Sequence, residues 1–285
     1  MKLNKCNLYN NYYTKINCTK IYVDYPNRRV KIIDIDSISS ETLKKIIDFS
    51  VDENLDKVIC NCGMKSIEIF KEAGFKMEGE INGYFNGKDA FCMSYFLSNK
   101  RKISSNLHIE ELLVQQCLGL KDTFTYDSNK NEYFIRDAEE KDIKEMVKLF
   151  SAVFSTYPSP VYNEEYLMET MNGNVLYKVA DYNGKIVGIA SADMDKDNLN
   201  AEITDCATYS DYRGKGILSN IIYSLELDLK KKGYITLYSL CRAVNPGINI
   251  VLSKHNYKFT GRLINNCNIC GTFEDMNIWI KNISI

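Results

Sequence analysis

A strand, a glycine-rich basic turn and a long amphipathic helix follow one another between residues 201 and 232. The strand is predicted at Ala201–Thr208, and the helix at Gly216–Lys232 has apolar residues spaced by three and four positions. Gly233 ends this helix, because glycine readily adopts the left-handed conformation that commonly closes one. A further apolar strand, Ile235–Leu240, comes directly afterwards, so the segment predicts a mixed α/β fold.

The turn between the strand and the helix consists of Arg213, Gly214, Lys215 and Gly216. Backbone N–H groups at a helix start, together with the helix dipole, create positive potential, and the two basic side chains add to it. The turn therefore predicts a pyrophosphate site. It is neither a P-loop, since no Gly-Lys-Ser/Thr follows, nor a Gly-x-Gly-x-x-Gly dinucleotide turn. A basic turn with ordinary helix capping is the alternative interpretation.

The same alternation of strands and helices continues on both sides of this turn. Asn183-Gly184 separates two predicted strands and is a strong hairpin signal. The other elements predicted in this block are strands at 134–136, 175–182, 185–191, 258–264 and 275–280, and helices at 142–154 and 247–255. We therefore expect one complete α/β domain over residues 132–285.

A smaller α/β domain is predicted for residues 1–100, followed by a linker at 101–131 that contains a helix over Leu107–Leu118. The segment Ile67–Gly79 aligns with Asn249–Gly261, and both segments end a helix, turn and enter a strand. This weak repeat suggests that the first block is a reduced copy of the second. The elements predicted in the first block are strands at 20–25, 29–34, 57–60, 78–85 and 90–97, and helices at 39–50 and 65–73.

The charge balance and the apolar runs exclude several classes of partner. Lysine and arginine number 36 against 37 acidic residues, which argues against a nucleic-acid or anionic-membrane binder. The longest apolar runs fall far below the ~18–20 residues that a membrane-spanning helix needs. The N-terminus lacks the apolar core of a signal peptide. We therefore expect a cytoplasmic protein whose ten cysteines are reduced thiols.

The cysteine spacing does not predict a metal site. Cys267 and Cys270 form the only C-x-x-C pair, whereas a structural zinc site usually has four ligands in paired knuckles. Cys60 and Cys62 are separated by one residue, and both histidines lie elsewhere in the chain. We expect the cysteines to be buried small groups or inert thiols.

In this context the second block resembles the GNAT acetyltransferase superfamily over about 150 residues. The order of its elements matches, and the family's acyl-CoA loop is Gln/Arg-x-x-Gly-x-Gly/Ala. Arg213 and Gly216 match this loop, whereas Leu218 departs from its final small position. The later family pattern of Asn, an apolar helix and Gly-Phe is represented by Asn245 and by Asn256-Tyr257.

The resemblance implies an enzyme that uses acetyl-CoA as co-substrate, without a metal. In the family the strand before the loop often supplies a carboxylate that takes a proton from the amine, which has a pKa near ~10.4. Glu202 and Asp205 are the catalytic candidates, with a solvated strand residue as the alternative for Glu202. The residues implied to bind acetyl-CoA are Cys206, Thr208, Arg213, Gly214, Lys215, Gly216, Leu218, Ser219 and Asn245.

The family often carries a tyrosine in the later helix, as general acid toward the departing thiolate. In this chain the corresponding position is Leu252. Either the thiolate therefore leaves without that acid, or another residue serves. Tyr209 and Tyr212 are close to the turn in sequence, but the chain contains 20 tyrosines.

A more specific resemblance, over most of the chain, is to the β-lysine N-acetyltransferases, a two-part GNAT family. It depends on the segments 78–95, 202–208, 212–216, 261–271 and 276–279. The implied fold is a C-terminal GNAT domain preceded by a degenerate GNAT half. The implied reaction is acetyl transfer from acetyl-CoA to the terminal amine of β-lysine. The product is Nε-acetyl-β-lysine, a compatible solute, and the implied pathway partner is lysine 2,3-aminomutase.

A β-amino acid acceptor needs groups for its carboxylate and a polar pocket around it. The candidates for binding the carboxylate are Arg242, Arg262, Asn265 and Asn266, and those for closing the pocket are Tyr84, Asn86 and Asp89. Two other functions stay open at this point. The acceptor could be a polyamine, lysine or a peptide amine, or the domain could be a non-catalytic acyl-CoA-binding regulatory module. The sequence does not predict the oligomeric state.

Overall fold

The computed structural model describes residues 11–35, 38–126, 132–269 and 271–284. Thirteen strands form one mixed sheet in this part of the chain, and helices pack against it. The strands are β1 (Tyr12–Ile16), β2 (Thr19–Asp24), β3 (Arg29–Ile32), β4 (Lys57–Cys62), β5 (Lys76–Phe85), β6 (Lys88–Phe96), β7 (Phe134–Asp137), β8 (Val175–Tyr182), β9 (Lys185–Asp195), β10 (Asn200–Thr208), β11 (Thr236–Arg242), β12 (Lys258–Ile269) and β13 (Thr272–Asn282). The helices are α1 (Ser40–Asp52), α2 (Ile67–Glu72), α3 (Asn99–Lys102), α4 (Leu107–Leu118), α5 (Ile143–Val153), α6 (Glu164–Asn172), α7 (Ile217–Lys231) and α8 (Pro246–Lys254).

The strand order across the sheet is β1-β2-β3-β4-β6-β5-β12-β13-β11-β10-β9-β8-β7. The pairs β3·β4 and β10·β11 are parallel, and a helix connects the two strands in each case, α1 in the first and α7 in the second. The other pairs along the sheet are antiparallel. The mixed α/β class expected from the sequence is therefore confirmed.

Strands β1–β6 and strands β8–β13 follow the same order, read from opposite edges toward the middle of the sheet. The two sets meet where β5 pairs with β12, through Gly79 and Gly261. These glycines end the two segments that align in the sequence, Ile67–Gly79 and Asn249–Gly261. The described structure therefore places the two ends of the repeat in direct contact. The domain boundaries near residues 100 and 132 stay a prediction.

The contact between β5 and β12 is too close for a side chain at either glycine. A Cβ on Gly79 would lie 2.8 Å from the Cα of Gly261 and 2.6 Å from Cδ1 of Ile278. A Cβ on Gly261 would lie 2.5 Å from the carbonyl oxygen of Glu78. Two backbones can approach this closely only where both residues lack a side chain.

A buried ion pair stabilises the same junction of β5 and β12, beside the glycines. Lys57 Nζ lies 2.7 Å from Glu78 Oε2 and also donates a hydrogen bond of 2.8 Å to the carbonyl of Ile264. The N–H of Ile264 donates to Glu78 Oε1 at 2.7 Å. Both charged side chains are almost completely buried, and each is paired, which is what a buried charge requires.

The cores differ between the two halves of the sheet. In the second half, α7 and α8 pack on one face, with Ile221, Leu225 and Leu252 in that core, and α5 and α6 pack on the other. In the first half, α1 and α2 cover one face, where Val30 and Leu43 are fully buried. Helices therefore cover both faces of the second half of the sheet and one face of the first half.

Three elements of the structure were not expected from the sequence: strand β1, helix α6 and the helix α3, which spans only Asn99–Lys102. Strand β1 is short and mostly exposed, so its residues lack the apolar alternation by which strands are recognised. Helix α6 has a single fully buried residue, Leu167, and is capped by the side chain of Asn163, which accepts from the N–H of Tyr166. The turn expected at Asp127-Ser128-Asn129-Lys130 lies outside the described residues. In the described ranges, no helix combines the length and apolar character needed to cross a membrane.

Gly261→Ala should destabilise the fold, because the added methyl group would meet backbone atoms of β5 that cannot move aside. We expect the free energy of unfolding to fall by about 1–3 kcal/mol, the usual cost of overpacking. Urea unfolding followed by circular dichroism measures this change. Gly63→Ala is the matched control, since no atom lies within 4 Å of the position that its Cβ would take. Equal stability of the two variants would contradict the close contact.

Candidate active site

A cleft opens where the two parallel strands of the second half separate. β10 pairs with β11 only through Asn200–Glu202 and Thr236–Tyr238, although both strands continue beyond these residues. The cleft has a volume of about 1470 Å³ and is lined by residues from both halves of the sheet. A crevice at the carboxyl ends of parallel strands is the common place for a ligand in α/β folds.

A β-bulge in β10 lies at the same point. The register with β9 shifts between Thr204 and Ala207, and Asp205 has a φ of 48°, in the left-handed region that aspartate tolerates better than most residues. The shift reverses which side chains face each core. Ala201 and Ile203 pack with α7, whereas Ala207 packs with α5 and α6. Strand β10 therefore presents side chains to the cleft from both faces of the sheet.

Glu202 lies in the cleft immediately before the bulge. Burial raises the pKa of its carboxyl to about 7, and the negative charge of Asp193 acts in the same direction. The positive charge of Lys31, from the first half, and a hydrogen bond from Tyr238 lower that pKa in part. Glu202 therefore changes its protonation state near neutral pH, as a general base must. Its catalytic role stays a prediction.

Asp205 also lines the cleft and is almost fully buried, with 6% of its surface exposed. Burial raises its pKa to about 6, and hydrogen bonds from Ser191 and Tyr157 oppose the shift. Ser191 Oγ lies 2.8 Å from Asp205 Oδ2. The carboxyl of Asp205 is therefore hydrogen-bonded to hydroxyl groups, and Glu202 is a second, separate carboxyl in the same cleft.

The turn before α7 has the geometry expected for an anion site. Gly214 and Gly216 have φ values of 76° and 77°, and no side chain caps the start of the helix. Arg213 donates from Nε to the carbonyl of Thr208 at 3.2 Å. The hydroxyl of Thr208 is buried and has no hydrogen-bond partner among the described residues. Open backbone donors and an unsatisfied hydroxyl in one cleft fit the phosphates and amides of acetyl-CoA.

Most of the residues predicted from the sequence line this one cleft. They are Glu202, Asp205, Cys206, Thr208, Arg213, Gly214, Gly216, Leu218, Ser219 and Asn245. Lys215 does not line it, since its side chain is exposed and its ammonium lies over the ring of Tyr212, 5.1 Å from the centroid. Asn245 also caps α8, where its side chain accepts from the N–H of Gly247.

The position of the usual tyrosine acid is fully buried. Leu252 lies in the core with α7 and does not line the cleft. Of the two tyrosines considered from the sequence, Tyr212 lines the cleft, whereas Tyr209 packs in the core with α5 and α6. Tyr157 lines the cleft as well, and no sequence signal distinguished it from the other tyrosines.

The residues considered for the acceptor carboxylate separate into two groups. Arg242 and Asn266 line the cleft, but Arg242 is already held by Glu274, with Nε and Nη2 each 2.6 Å from its carboxylate. Arg262 lines a different groove and donates to Asn277, and Asn265 donates to backbone carbonyls of residues 101 and 103.

Of the residues considered for closing the pocket, one lines the cleft and two do not. Tyr84 lines the cleft, as expected. Asn86 lies in the β5–β6 turn instead and donates its N–H to the carbonyl of Asn198. Asp89 lies at the start of β6 and accepts from the N–H of Gly83.

Sequence reasoning missed the charged residues that the first half contributes to the cleft. Asp24, Arg29 and Lys31 of β2 and β3 all line it. The alternation of Arg29 and Lys31 with the apolar Val30 and Ile32 was visible in the sequence. Alternation of this kind ordinarily marks a solvent face, and only the tertiary fold places it over the cleft.

Metal ligands are not gathered at any one place in the described ranges, where no three His, Cys, Asp or Glu side chains stand close enough to hold an ion. Cys270 of the C-x-x-C pair lies outside those ranges. The absence of a metal from the reaction stays a prediction.

Glu202→Gln should change how stability depends on pH. The folded carboxyl keeps its proton up to about pH 7, whereas an unfolded glutamate loses it near pH 4.5, so wild-type stability falls as the pH rises between these values. Glutamine removes this loss. We expect the stability of the variant relative to wild type to increase by roughly 1–3 kcal/mol from pH 5 to pH 8. Urea unfolding at both pH values measures it, with the exposed Glu169→Gln as control, and parallel curves would contradict the shift.

Comparisons with known proteins place this cleft in a family. A model of the acetyltransferase (GNAT) family matches residues 143–249. A β-lysine N(6)-acetyltransferase of Methanosarcina mazei is 38% identical over 250 residues, covering 80% of this chain and 92% of the relative. Another, of Methanococcus maripaludis, is 33% identical over 269 residues, covering 94% and 97%.

Among solved structures, the ribosomal-protein-S18-alanine N-acetyltransferase of Escherichia coli is 20% identical, with a TM-score of 0.48, covering 54% of this chain and 95% of that one. The identity to the two archaeal relatives, over most of the chain, confirms the resemblance found in the sequence. The chain belongs to the β-lysine N(6)-acetyltransferase family of GNAT acetyltransferases.

Proposed function

We propose that this protein transfers an acetyl group from acetyl-CoA to the terminal, N6, amine of β-lysine and forms Nε-acetyl-β-lysine. The names of the two archaeal relatives support the choice of acceptor. The observation that carries the chemistry is the position of Glu202, which lies where β10 and β11 separate. Its pKa of about 7 suits a group that takes a proton from an amine at neutral pH.

The proposed donor site lies on the α7 side of the split. When bound there, acetyl-CoA supplies a thioester whose carbonyl carbon is open to attack by an amine. The backbone N–H groups at the start of α7 and the side chain of Arg213 would hold its pyrophosphate. Cys206 and Thr208 would bind the pantetheine arm, with backbone groups of β10 pairing to it as they would to an added strand.

The proposed acceptor site lies on the opposite side of β10, where Glu202 interacts electrostatically with Lys31 of the first half. An alkyl amine with a pKa near ~10.4 is protonated at neutral pH and must lose a proton before it attacks. Glu202 would hold the ammonium and accept this proton, directly or through water, and Asp205 with Ser191 would extend the path. The attack then occurs directly, with both substrates bound.

The bulge in β10 would stabilise the negative charge that develops on the thioester oxygen. Asp205 and Cys206 fall between the residues of β10 that pair with β9, so their backbone groups stand outside the ladder. The N–H of Cys206 would donate to the oxyanion from this position. A fixed backbone donor needs no reorganisation during the reaction, which makes it effective in a buried cleft.

The wider setting of this activity is also a proposal. β-Lysine would come from lysine through lysine 2,3-aminomutase, the partner that the family resemblance implies. The cytoplasm is the proposed location, because the cysteines in the described ranges are free thiols, as a reducing compartment keeps them.

The proposed reaction releases one free thiol for each acetyl group transferred. Purified protein with acetyl-CoA should therefore release thiol when β-lysine is added, as measured with a thiol-reactive dye. β-Lysine should have a higher kcat/KM than spermidine, α-lysine or a peptide with a free N-terminus. No thiol release with β-lysine would refute the proposal, and a clear preference for a polyamine would replace its acceptor.

The pH dependence of turnover should follow the titration of Glu202. We expect kcat/KM for β-lysine to rise with pH and to bend near pH 7, because Glu202 accepts a proton only when it is ionised. Glu202→Gln should lower kcat/KM by about 10²–10⁴-fold and remove the bend near pH 7. Glu169→Gln, on the exposed side of α6, serves as the control. A Glu202→Gln profile that keeps the bend would assign it to another group.

A further inference from the structure

One face of the first half of the sheet carries charges that point into the cleft. Arg29 and Lys31 lie two positions apart on β3 and both line the cleft, whereas Val30 between them packs with α1 and α2. On β2, Tyr22 pairs with Lys31 and also lines the cleft. The strand alternation therefore sends the polar side chains of β2 and β3 toward the acceptor side of the active site.

Among the cations on this face, Arg29 and Lys57 have carboxylate partners. Arg29 Nε lies 2.8 Å from Asp24 Oδ2, and Lys57 Nζ lies 2.7 Å from Glu78 Oε2. Lys31 is half-buried, and its ammonium lies over the ring of Tyr22, 5.9 Å from the centroid. Among the described residues, this ammonium has no carboxylate partner. A partly buried ammonium without a carboxylate partner is available to an anion that enters the cleft.

The groups of the second half that interact electrostatically with Lys31 are acidic. Glu202 and Asp193 belong to β10 and β9 of the second half and line the same space. Lys31 influences the pKa values of both groups, so its charge acts across the cleft without a direct ion pair. The neighbouring positive charge of Arg29 is the first cause that lowers the pKa of Lys31, and burial is the second. An anion placed beside the two cations would relieve this repulsion.

We propose that Lys31 binds the carboxylate of the acceptor, with Arg29 adding positive potential from its fixed position beside Asp24. This inference rests on the proposed function, and it adds the chemical class of acceptor that the site selects. The acceptor is an amino acid whose carboxylate lies several bonds from the amine that is acetylated, so that one end reaches Lys31 while the other reaches Glu202. The first half of the sheet thereby binds the carboxylate of the acceptor, and the second half catalyses the acetyl transfer.

The same arrangement predicts that a simple diamine is a poor acceptor. A diamine bound with one ammonium at Glu202 would place an apolar or positively charged end near Lys31, where nothing compensates the lysine charge. A buried charge left unpaired in the wrong complex discriminates more strongly than a missing contact does. The acidic Asp193 stays available for the second ammonium that β-lysine carries.

The test compares two acceptors that differ only in the carboxylate arm. 1,4-Diaminobutane is β-lysine without its CH₂–COO⁻ group, and β-lysine methyl ester keeps both amines but has no negative charge. In Lys31→Met, kcat/KM for β-lysine should fall by roughly 10- to 100-fold, the range for loss of a hydrogen bond to a charged group. The values for 1,4-diaminobutane and for the ester should not fall, and they should rise to the extent that the uncompensated lysine charge opposes these acceptors in wild type. Lys31→Glu should reverse the preference in favour of 1,4-diaminobutane.

The control is Lys15→Met, which removes an exposed lysine from β1 and should alter neither substrate. The Kd for acetyl-CoA, measured by calorimetry, should be the same in all variants, which shows that the fold and the donor site are intact. An equal loss for β-lysine and 1,4-diaminobutane in Lys31→Met would overturn the proposal, because it would make Lys31 a general structural residue. Equal wild-type activity on β-lysine and its methyl ester would also overturn it.

A binding experiment separates this proposal from the proposed reaction. With CoA present in place of acetyl-CoA, calorimetry should show tighter binding of β-lysine than of its methyl ester to wild type, and equal binding of the two to Lys31→Met. This result would support the carboxylate site even if no thiol were released, in which case only the proposed transfer would fail. Equal binding of acid and ester to wild type would overturn the carboxylate site, whatever the protein catalyses.

Discussion

The backbone contact between Gly79 and Gly261 is the constraint on which the rest of the structure depends. It joins two sets of strands into one sheet at a distance that no side chain permits. The buried pair of Lys57 and Glu78 holds the same junction through side chains. Beyond it β5 runs over the start of β10 and β11, where Asn200 Nδ2 donates to the carbonyl of Tyr84 at 2.7 Å. The junction thus brings the polar face of the first half over the split in the second.

The split itself is created by two local features of β10, its short pairing with β11 and its bulge at Asp205. The first opens a cleft between strands, and the second turns neighbouring side chains toward opposite faces. Burial in this cleft then raises the pKa values of Glu202 and Asp205 to about 7 and about 6. The same strand thereby provides a carboxylate with a pKa near neutrality on one side and the proposed binding surface for the donor on the other.

The sequence was most informative where the structure is local. The strand, basic turn and helix between residues 201 and 232 could be predicted because apolar periodicity and glycine positions depend on near neighbours. Glu202 and Asp205 could be chosen because they lie on that strand. The cleft-facing role of Lys31 could not, since it depends on a strand pairing between residues 79 and 261, which are far apart in the chain. Nor could the sequence show that Arg242, an attractive candidate, is held by Glu274.

The continuous sheet also determines how the acceptor side of the cleft can respond to its ligand. Its covering wall consists of β-strands that are hydrogen-bonded to one another and anchored at the junction. A loop or a hinged domain in the same place would be free to close over the ligand. Such a wall keeps its charges in place before the substrate arrives. In the proposed acceptor site, selectivity would then come from preorganisation, because little conformational freedom would be lost when the acceptor binds.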